Sequence, residues 1–89
     1  SGYGPSARLW LGNAQYAQRD YKEAIGNFKQ LLSDAPSHAR APEAALSIAK
    51  CQLELKDNRA ARKTLEDLVR VYPQSDAAAA AKERLARLK

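Results

Sequence analysis

Apolar residues recur along the chain at the spacing of amphipathic helices, and two of these stripes follow the same order. In each stripe, apolar side chains stand at i, i+4, i+7, i+8 and i+11, which places them on one side of a helix. The two stripes are Ala24, Phe28, Leu31, Leu32 and Ala35, and Ala61, Leu65, Leu68, Val69 and Tyr72. A shorter stripe precedes each of them, and a further one closes the chain. The pattern predicts five helices, at about residues 6–18, 21–34, 39–55, 58–71 and 76–88.

The chain also repeats itself at an offset of 37 residues. The identities fall where small or apolar residues pack and where turns begin, so packing sets the period. The identical pairs are Ala7/Ala44, Leu9/Leu46, Gln15/Gln52, Asp20/Asp57, Ala24/Ala61, Leu31/Leu68, Pro36/Pro73 and Ala41/Ala78. We therefore predict one domain, made of a helical pair at 6–36, a second pair at 37–73 and a capping helix within 74–89.

Turn and cap residues separate the predicted helices. Carboxylates and hydroxyls can accept hydrogen bonds from the free N–H groups of a first turn, and proline ends a helix that precedes it. The predicted caps are Asp20, Asp57, Ser37 and Ser75, and the predicted stops are Pro36 and Pro73.

Composition narrows the fold class to all-α. The 89 residues include 18 Ala and 11 Leu but only 4 Val and Ile together, so helix formers dominate and strand formers are scarce. Since no apolar run approaches the roughly 20 residues of a membrane span, membrane insertion is not expected. One Cys cannot form an internal disulfide, and one Cys with one His cannot build a zinc site. We expect no metal or other cofactor.

The net charge of +5 is spread along the chain, with +2 over residues 1–40, +1 over 41–75 and +2 over 76–89. There is no basic stripe with interleaved aromatic residues, so a nucleic-acid partner is not expected. The basic residues of the last predicted helix are better explained as partners of the helix dipole.

Candidate catalytic groups are few. His38 lies in a linker and is expected to be exposed, and Cys51 occupies a small-residue position where a packed free thiol is expected. Glu66 and Asp67 point about 100° apart on a helix, so they cannot form a facing acid and base pair. The sequence predicts a protein without catalytic activity.

The helical pairs resemble tetratricopeptide repeats. The pattern of that family places Leu-Gly in the first helix, Ala and an aromatic residue in the second, and Pro at the end. The first pair matches it with Leu11-Gly12, Asp20-Tyr21, Ala24, Phe28 and Pro36, and the second with Ile48-Ala49, Asp57, Ala61, Leu65 and Pro73. Arg8, Gln15, Arg19 and Lys56 depart from it, standing where the family has Trp, Tyr, Gly and Gly. The resemblance implies a right-handed α-solenoid of two repeats and a cap.

Longer phrases resemble a narrower group, the C-terminal domains of the periplasmic tetratricopeptide proteins of the Tol-Pal system. These phrases are Leu11–Ile25, Ala35–Ala44, Cys51–Asp57, Tyr72–Ala78 and Ala81–Lys89. The resemblance implies a periplasmic scaffold that binds TolA and helps to coordinate outer-membrane constriction with peptidoglycan synthesis in cell division. It also implies a further repeat, a trimerising coiled coil and a signal peptide upstream.

Stacked helical pairs present their first helices on one surface, which is where repeats of this kind bind ligands. The predicted partner-binding groove consists of Leu9, Trp10, Asn13, Tyr16, Leu46, Ser47, Lys50, Leu53 and Arg84. Such a strip suits an amphipathic helix or an extended peptide, with Trp10 as the aromatic anchor. Leu46 and Leu53 could equally be core residues.

Two alternatives remain at this point. The chain could be an interaction domain of another envelope scaffold, such as an outer-membrane assembly lipoprotein, with the same groove and a different ligand. Trp10 could pack against a neighbouring repeat instead of a ligand. Because Ala7, Trp10, Ala14 and Ala17 share one side of the first helix, self-association through that helix is also expected.

Overall fold

The computed structural model describes residues 4–88, and within that range it contains helices and no strand. The helices are α1 (Pro5–Ala17), α2 (Tyr21–Asp34), α3 (Ala41–Glu54), α4 (Asn58–Val71) and α5 (Asp76–Arg87). Every bound lies within two residues of the predicted one. The all-α prediction is therefore confirmed.

Each helix packs against the next one along the chain, and α5 also packs against α3. The pairs α1–α2 and α3–α4 thus stack side by side, and α5 covers the second pair. One core cluster joins α1, α2 and α3, and the other joins α3, α4 and α5. Helix α3 contributes seven buried residues to this arrangement, because it lies between the two pairs.

The helices of the first pair approach each other most closely at Gly12. A Cβ atom at this position would lie 2.6 Å from Cε1 of Phe28, whose ring is fully buried. In the second pair the equivalent residues are Ala49 and Leu65, which are both fully buried in one cluster. Because Leu65 is smaller than Phe28, the first helix of the second pair has room for the methyl group of Ala49.

A polar contact joins the two helices of each pair at the same height. In the first pair Asn27 Nδ2 donates to Gln15 Oε1 at 2.7 Å, and in the second Thr64 Oγ1 donates to Gln52 Oε1 at 2.7 Å. The glutamine that replaces the family's tyrosine thus has a structural role in both pairs. A buried or half-buried amide needs such a partner, because an unpaired polar group costs stability.

The turn inside each pair uses a left-handed residue. Arg19 and Lys56 both have φ of 65°, and the next N–H, of Asp20 or Asp57, donates back to Gln15 O or Gln52 O. This is the Schellman pattern, which usually has glycine at the left-handed position. Arg19 and Lys56 adopt the required angles in spite of their side chains.

The predicted helix caps are correct for Asp57 and Ser75, whose side chains accept from Ala60 N and Ala78 N. Two other predictions are wrong. Within residues 4–88 the exposed carboxylate of Asp20 makes no bond to the first turn of α2. Ser37 is not the cap of α3, because the linker makes a further turn and α3 begins only after Arg40.

One hydrogen bond connects the two pairs outside the apolar core. The Tyr72 hydroxyl, at the end of α4, donates to Pro36 O in the α2–α3 linker at 2.7 Å. Burial raises the pKa of this phenol, so it stays protonated and able to donate well above neutral pH.

Candidate protein-interaction surface

Tyr16 lies near the end of α1, where three helices contribute to its surroundings. Its ring meets that of Tyr21 edge to face, with centroids 5.5 Å apart. Burial raises the pKa of Tyr16, the charges of Glu54, Tyr21 and Cys51 raise it further, and Arg84 lowers it. Tyr16 on α1 and Arg84 on α5 are therefore close enough to interact electrostatically across α3.

Besides Leu9 and Trp10, which are treated below, six other residues of the predicted groove also lie on the first helix of a pair or on α5. We call them, together with Tyr16, the first-helix surface: Asn13, Tyr16, Leu46, Ser47, Lys50, Leu53 and Arg84. Asn13 is exposed and the rest are half-buried. Half-buried apolar residues and charged groups therefore occur side by side on this surface. Sequence reasoning missed Glu54, whose charge acts on Tyr16 and which is exposed beside Leu53.

Leu9 does not belong to this surface, so its assignment to the groove is wrong. Its side chain is 1% exposed and packs in the cluster that joins α1 to α2 and α3. Its burial comes from that cluster, which contains Ala24, Phe28 and Leu31 of α2 as well as residues of α3. Leu46, the equivalent residue in the second pair, is only partly buried against α5.

Trp10 is 78% exposed and stands apart from Tyr16. At about 100° per residue, the two side chains project about 120° apart around α1. Trp10 instead shares a side with Ala7, Ala14 and Ala17, and we call these four residues the α1 outer face. Ala7 and Ala17 are exposed and Ala14 is half-buried.

The equivalent side of α3 shows what such a face contacts inside the molecule. Ala44 and Cys51 correspond to Ala7 and Ala14, and both are fully buried against the first pair. The part of the α1 outer face formed by Ala7 and Ala14 therefore corresponds to the surface on which the second pair stacks, whereas the counterparts of Trp10 and Ala17 are the half-buried Ser47 and the exposed Glu54.

The residues considered as catalytic groups, Cys51, His38 and Asp67, have contacts that a structural role explains. The Cys51 thiol is fully buried, and burial followed by the charge of Glu54 raises its pKa to about 11, which is the opposite of activation. His38 is half-buried in the linker, where its Nδ1 accepts from Arg40 N. Hydrogen bonds and charge from Arg70 and Lys63 hold the pKa of Asp67 below its usual value, so this carboxylate is ionised at neutral pH.

Among residues 4–88 no group of three or more His, Cys, Asp or Glu side chains could hold a metal ion. None of the helices in that range has the length and hydrophobicity to cross a bilayer.

A concave feature lies on the second helices of the pairs and was not predicted. Helices α2 and α4 form the walls of an open groove of about 370 Å³, and α3 forms its floor. We call it the α2–α4 groove; its apolar lining includes Leu32, Ala45, Ile48, Leu68, Val71 and Tyr72. The sequence repeat contains one signal for this groove, because Ala45 is the residue of the second pair that corresponds to Arg8 of the first.

Paired helices, the 37-residue offset and the closing helix agree with a known repeat. The tetratricopeptide repeat family matches residues 15–85. This chain belongs to that family. Tetratricopeptide repeats generally mediate protein–protein interactions and are typically non-catalytic. No curated protein matches the chain.

Proposed function

We propose that this tetratricopeptide domain is a non-catalytic interaction module of the Tol-Pal system in the periplasm. In this proposal it binds TolA and helps to coordinate outer-membrane constriction with peptidoglycan synthesis during cell division. The family supports the general role, and the resemblance of the linker and helix phrases, such as Ala35–Ala44, supports the specific one.

The observation that carries the interaction role is the exposure of Trp10, 78%, next to the half-buried first-helix surface. An exposed tryptophan contributes large apolar area at low entropic cost, and such residues concentrate the binding energy of interfaces. Asn13 lies between Trp10 and Tyr16 on α1 and is exposed. A ligand lying across α1 toward α5 could therefore contact both aromatic residues.

Titration calorimetry with the purified periplasmic part of TolA tests the proposal. We expect saturable binding that weakens about tenfold or more in Trp10→Ala and in Arg84→Glu. Arg59→Ala, on the exposed side of α4, is the matched control and should leave affinity within about twofold. Equal binding by Trp10→Ala and the unaltered domain would remove α1 from the interface.

The alternative is that the same surface belongs to another envelope scaffold, such as an outer-membrane assembly lipoprotein. A pull-down from periplasmic extract, followed by mass spectrometry, separates the two. Capture of TolA by the unaltered domain, but not by Trp10→Ala, supports the Tol-Pal role. Capture of outer-membrane assembly proteins in the same pattern supports the alternative. Cell fractionation tests the periplasmic location independently.

A further inference from the structure

The α2–α4 groove lies where the second pair lacks a large side chain that the first pair has. At the 37-residue offset, Ala45 is the equivalent of Arg8. Arg8 reaches from α1 to α2, where its Nη1 donates to Asn27 Oδ1 at 3.1 Å and its Nε lies 4.0 Å from Asp34 Oδ2. Ala45 carries no atoms that could reach α4 in this way.

The partners of Arg8 are replaced together with it. Asn27 and Asp34 correspond to Thr64 and Val71, and both of these line the groove. Val71 is 52% exposed although it is apolar. The repeat pattern of the family has tryptophan at the position of Arg8 and Ala45. The groove is therefore the space that a large side chain of the first helix occupies elsewhere in the repeat.

Charges at the edge of the groove are mostly positive. Lys29 of α2 lines it and, within residues 4–88, makes no ion pair or hydrogen bond. On the α4 side, Asp67 lies between Lys63 and Arg70, at 3.3 Å and 3.0 Å. Lys29 and Asp67 line the groove, and Lys63 and Arg70 stand beside Asp67 just outside the lining, so these four groups together carry a charge of +2. Exposed ion pairs of this kind are weak, so Lys63 and Arg70 remain available to other anions.

We infer that the α2–α4 groove binds an acidic segment of a partner protein, with one large aromatic side chain of that segment seated over Ala45. The aromatic ring fills the space that the repeat pattern fills from its own first helix, and acidic neighbours of the ring face Lys29, Lys63 and Arg70. This site lies on the second helices, so it is separate from the first-helix surface and independent of the proposed function.

A second copy of the chain is a poorer occupant. Its exposed tryptophan, Trp10, lies on α1, whose one charged residue is Arg8. Docking α1 of a second copy in the groove would bring the Arg8 guanidinium to a positive edge. The two molecules would also each carry a net charge of +5. Charge complementarity therefore favours an acidic partner.

Fluorescence anisotropy with a labelled Asp-Glu-Trp-Glu-Asp peptide tests the inference. We expect saturable binding with a dissociation constant at or below about 1 mM at low salt. Alanine in place of the peptide tryptophan should weaken binding about tenfold or more, and so should lysines in place of its acidic residues. Absence of saturation, or equal binding of the alanine or lysine peptide, would overturn the inference.

Variants of the domain locate the site. The triple change Ala45→Arg, Thr64→Asn and Val71→Asp rebuilds the set of the first pair and should abolish peptide binding while the domain still melts cooperatively. Lys29→Glu, at an exposed residue that folding does not require, should weaken binding about threefold or more. Lys22→Glu, the same charge change at an exposed residue of α2 outside the groove lining, is the control and should bind the peptide within about twofold of the unaltered domain. If the triple variant folds and binds unchanged, or if Lys29→Glu has no effect, the peptide is not in this groove.

Discussion

In the first pair Gly12 makes room for Phe28, whereas in the second Ala49 packs in one cluster with the smaller Leu65. The two pairs keep the same backbone geometry down to the left-handed turn residue, yet they divide the space between their helices differently. A gain in size at one position is matched by a loss at its partner. At this contact the two pairs therefore keep the combined volume of the two side chains, not the residue types.

The two pairs also differ in what covers them. The side of α3 that includes Ala44 and Cys51 is buried by the first pair, while the equivalent side of α1 is open. Within residues 4–88, no helix covers this side of the first pair. The second pair has neighbours on both sides, because α5 closes its far end.

The largest effect we expect from this difference is on oligomeric state. The apolar α1 outer face should make the domain associate as concentration rises, and Ala14→Glu should keep it monomeric because it places a charge in that contact. Light scattering over a concentration series measures this, with Ala86→Glu, at an exposed residue of α5, as the charge-matched control. A monomer at every concentration, with or without the change, would show that the face does not associate.

The next largest effect concerns Ala61 and Ala24, which are fully buried at the same place in the two pairs. Leucine at either position should overpack the contact and lower the free energy of unfolding by about 2–3 kcal/mol. Arg62→Leu, on the outer side of α4, should change it by less than about 0.5 kcal/mol. Urea denaturation of the three variants is the measurement, and equal shifts for Ala61→Leu and Arg62→Leu would contradict the assignment of the buried side.

Exchanging the contact of one pair for that of the other tests the volume rule directly. Gly12→Ala should cost about 1–2 kcal/mol, since the overlap with the Phe28 ring outweighs the gain in helix propensity. Adding Phe28→Leu recreates the contact of the second pair and should recover about 1 kcal/mol of that loss. A double-mutant cycle gives the coupling. Additive effects would mean that the two residues do not share one space.

A smaller effect distinguishes Cys51 from its half-buried counterpart, Ala14. Burial raises the pKa of the thiol from 9.0 to about 11, so the unfolded chain loses this proton at lower pH than the folded domain. Stability from this group is complete below pH 9 and is lost as the pH rises toward 11. Between pH 8 and pH 10 the loss should be about 1 kcal/mol, and Cys51→Ala should remove that part of the pH dependence. An unchanged pH profile in Cys51→Ala would assign the loss to the tyrosines.

The smallest effect should be the same in both pairs. Replacing Arg19 or Lys56 by glycine relieves the positive φ, at the expense of a more flexible unfolded chain. The net result should be a gain of about 0.5 kcal/mol for either change, measured as a rise in melting temperature. Lys22→Gly, inside α2, should instead lose about 1 kcal/mol. A loss at Arg19 would mean that its side chain contributes more than the backbone strain costs.

The helices could be predicted because their signal is local. Apolar spacing and the terminal prolines determine where a helix begins and ends. The bounds of all five helices follow from them within two residues. Ser37 shows the limit, since the linker that precedes α3 forms an extra turn held by backbone bonds from His38 to Ala35 and from Ala41 to His38. Those bonds leave no trace in the order of polar and apolar residues.

The candidate site was harder to predict because exposure depends on the neighbouring helix. Leu9 and Leu46 are equivalent in the repeat, yet Leu9 is buried in the cluster that joins α1, α2 and α3, whereas Leu46 is only partly buried against the cluster that joins α3, α4 and α5. Likewise, the α2–α4 groove combines residues from three helices. The replacement of Arg8 by Ala45 predicts a groove only when the positions of α2 and α4 beside α3 are known.

The hydrogen bond from Tyr72 to Pro36 bears on how the domain unfolds. In a stack of repeats each unit contacts only its neighbours, so unfolding can begin at one end and proceed unit by unit. Tyr72 ends α4 but is bonded to the linker between α2 and α3, 36 residues earlier. Fraying of the C-terminal unit past α4 therefore breaks a bond to the linker that precedes α3. This coupling favours loss of both pairs in one cooperative step.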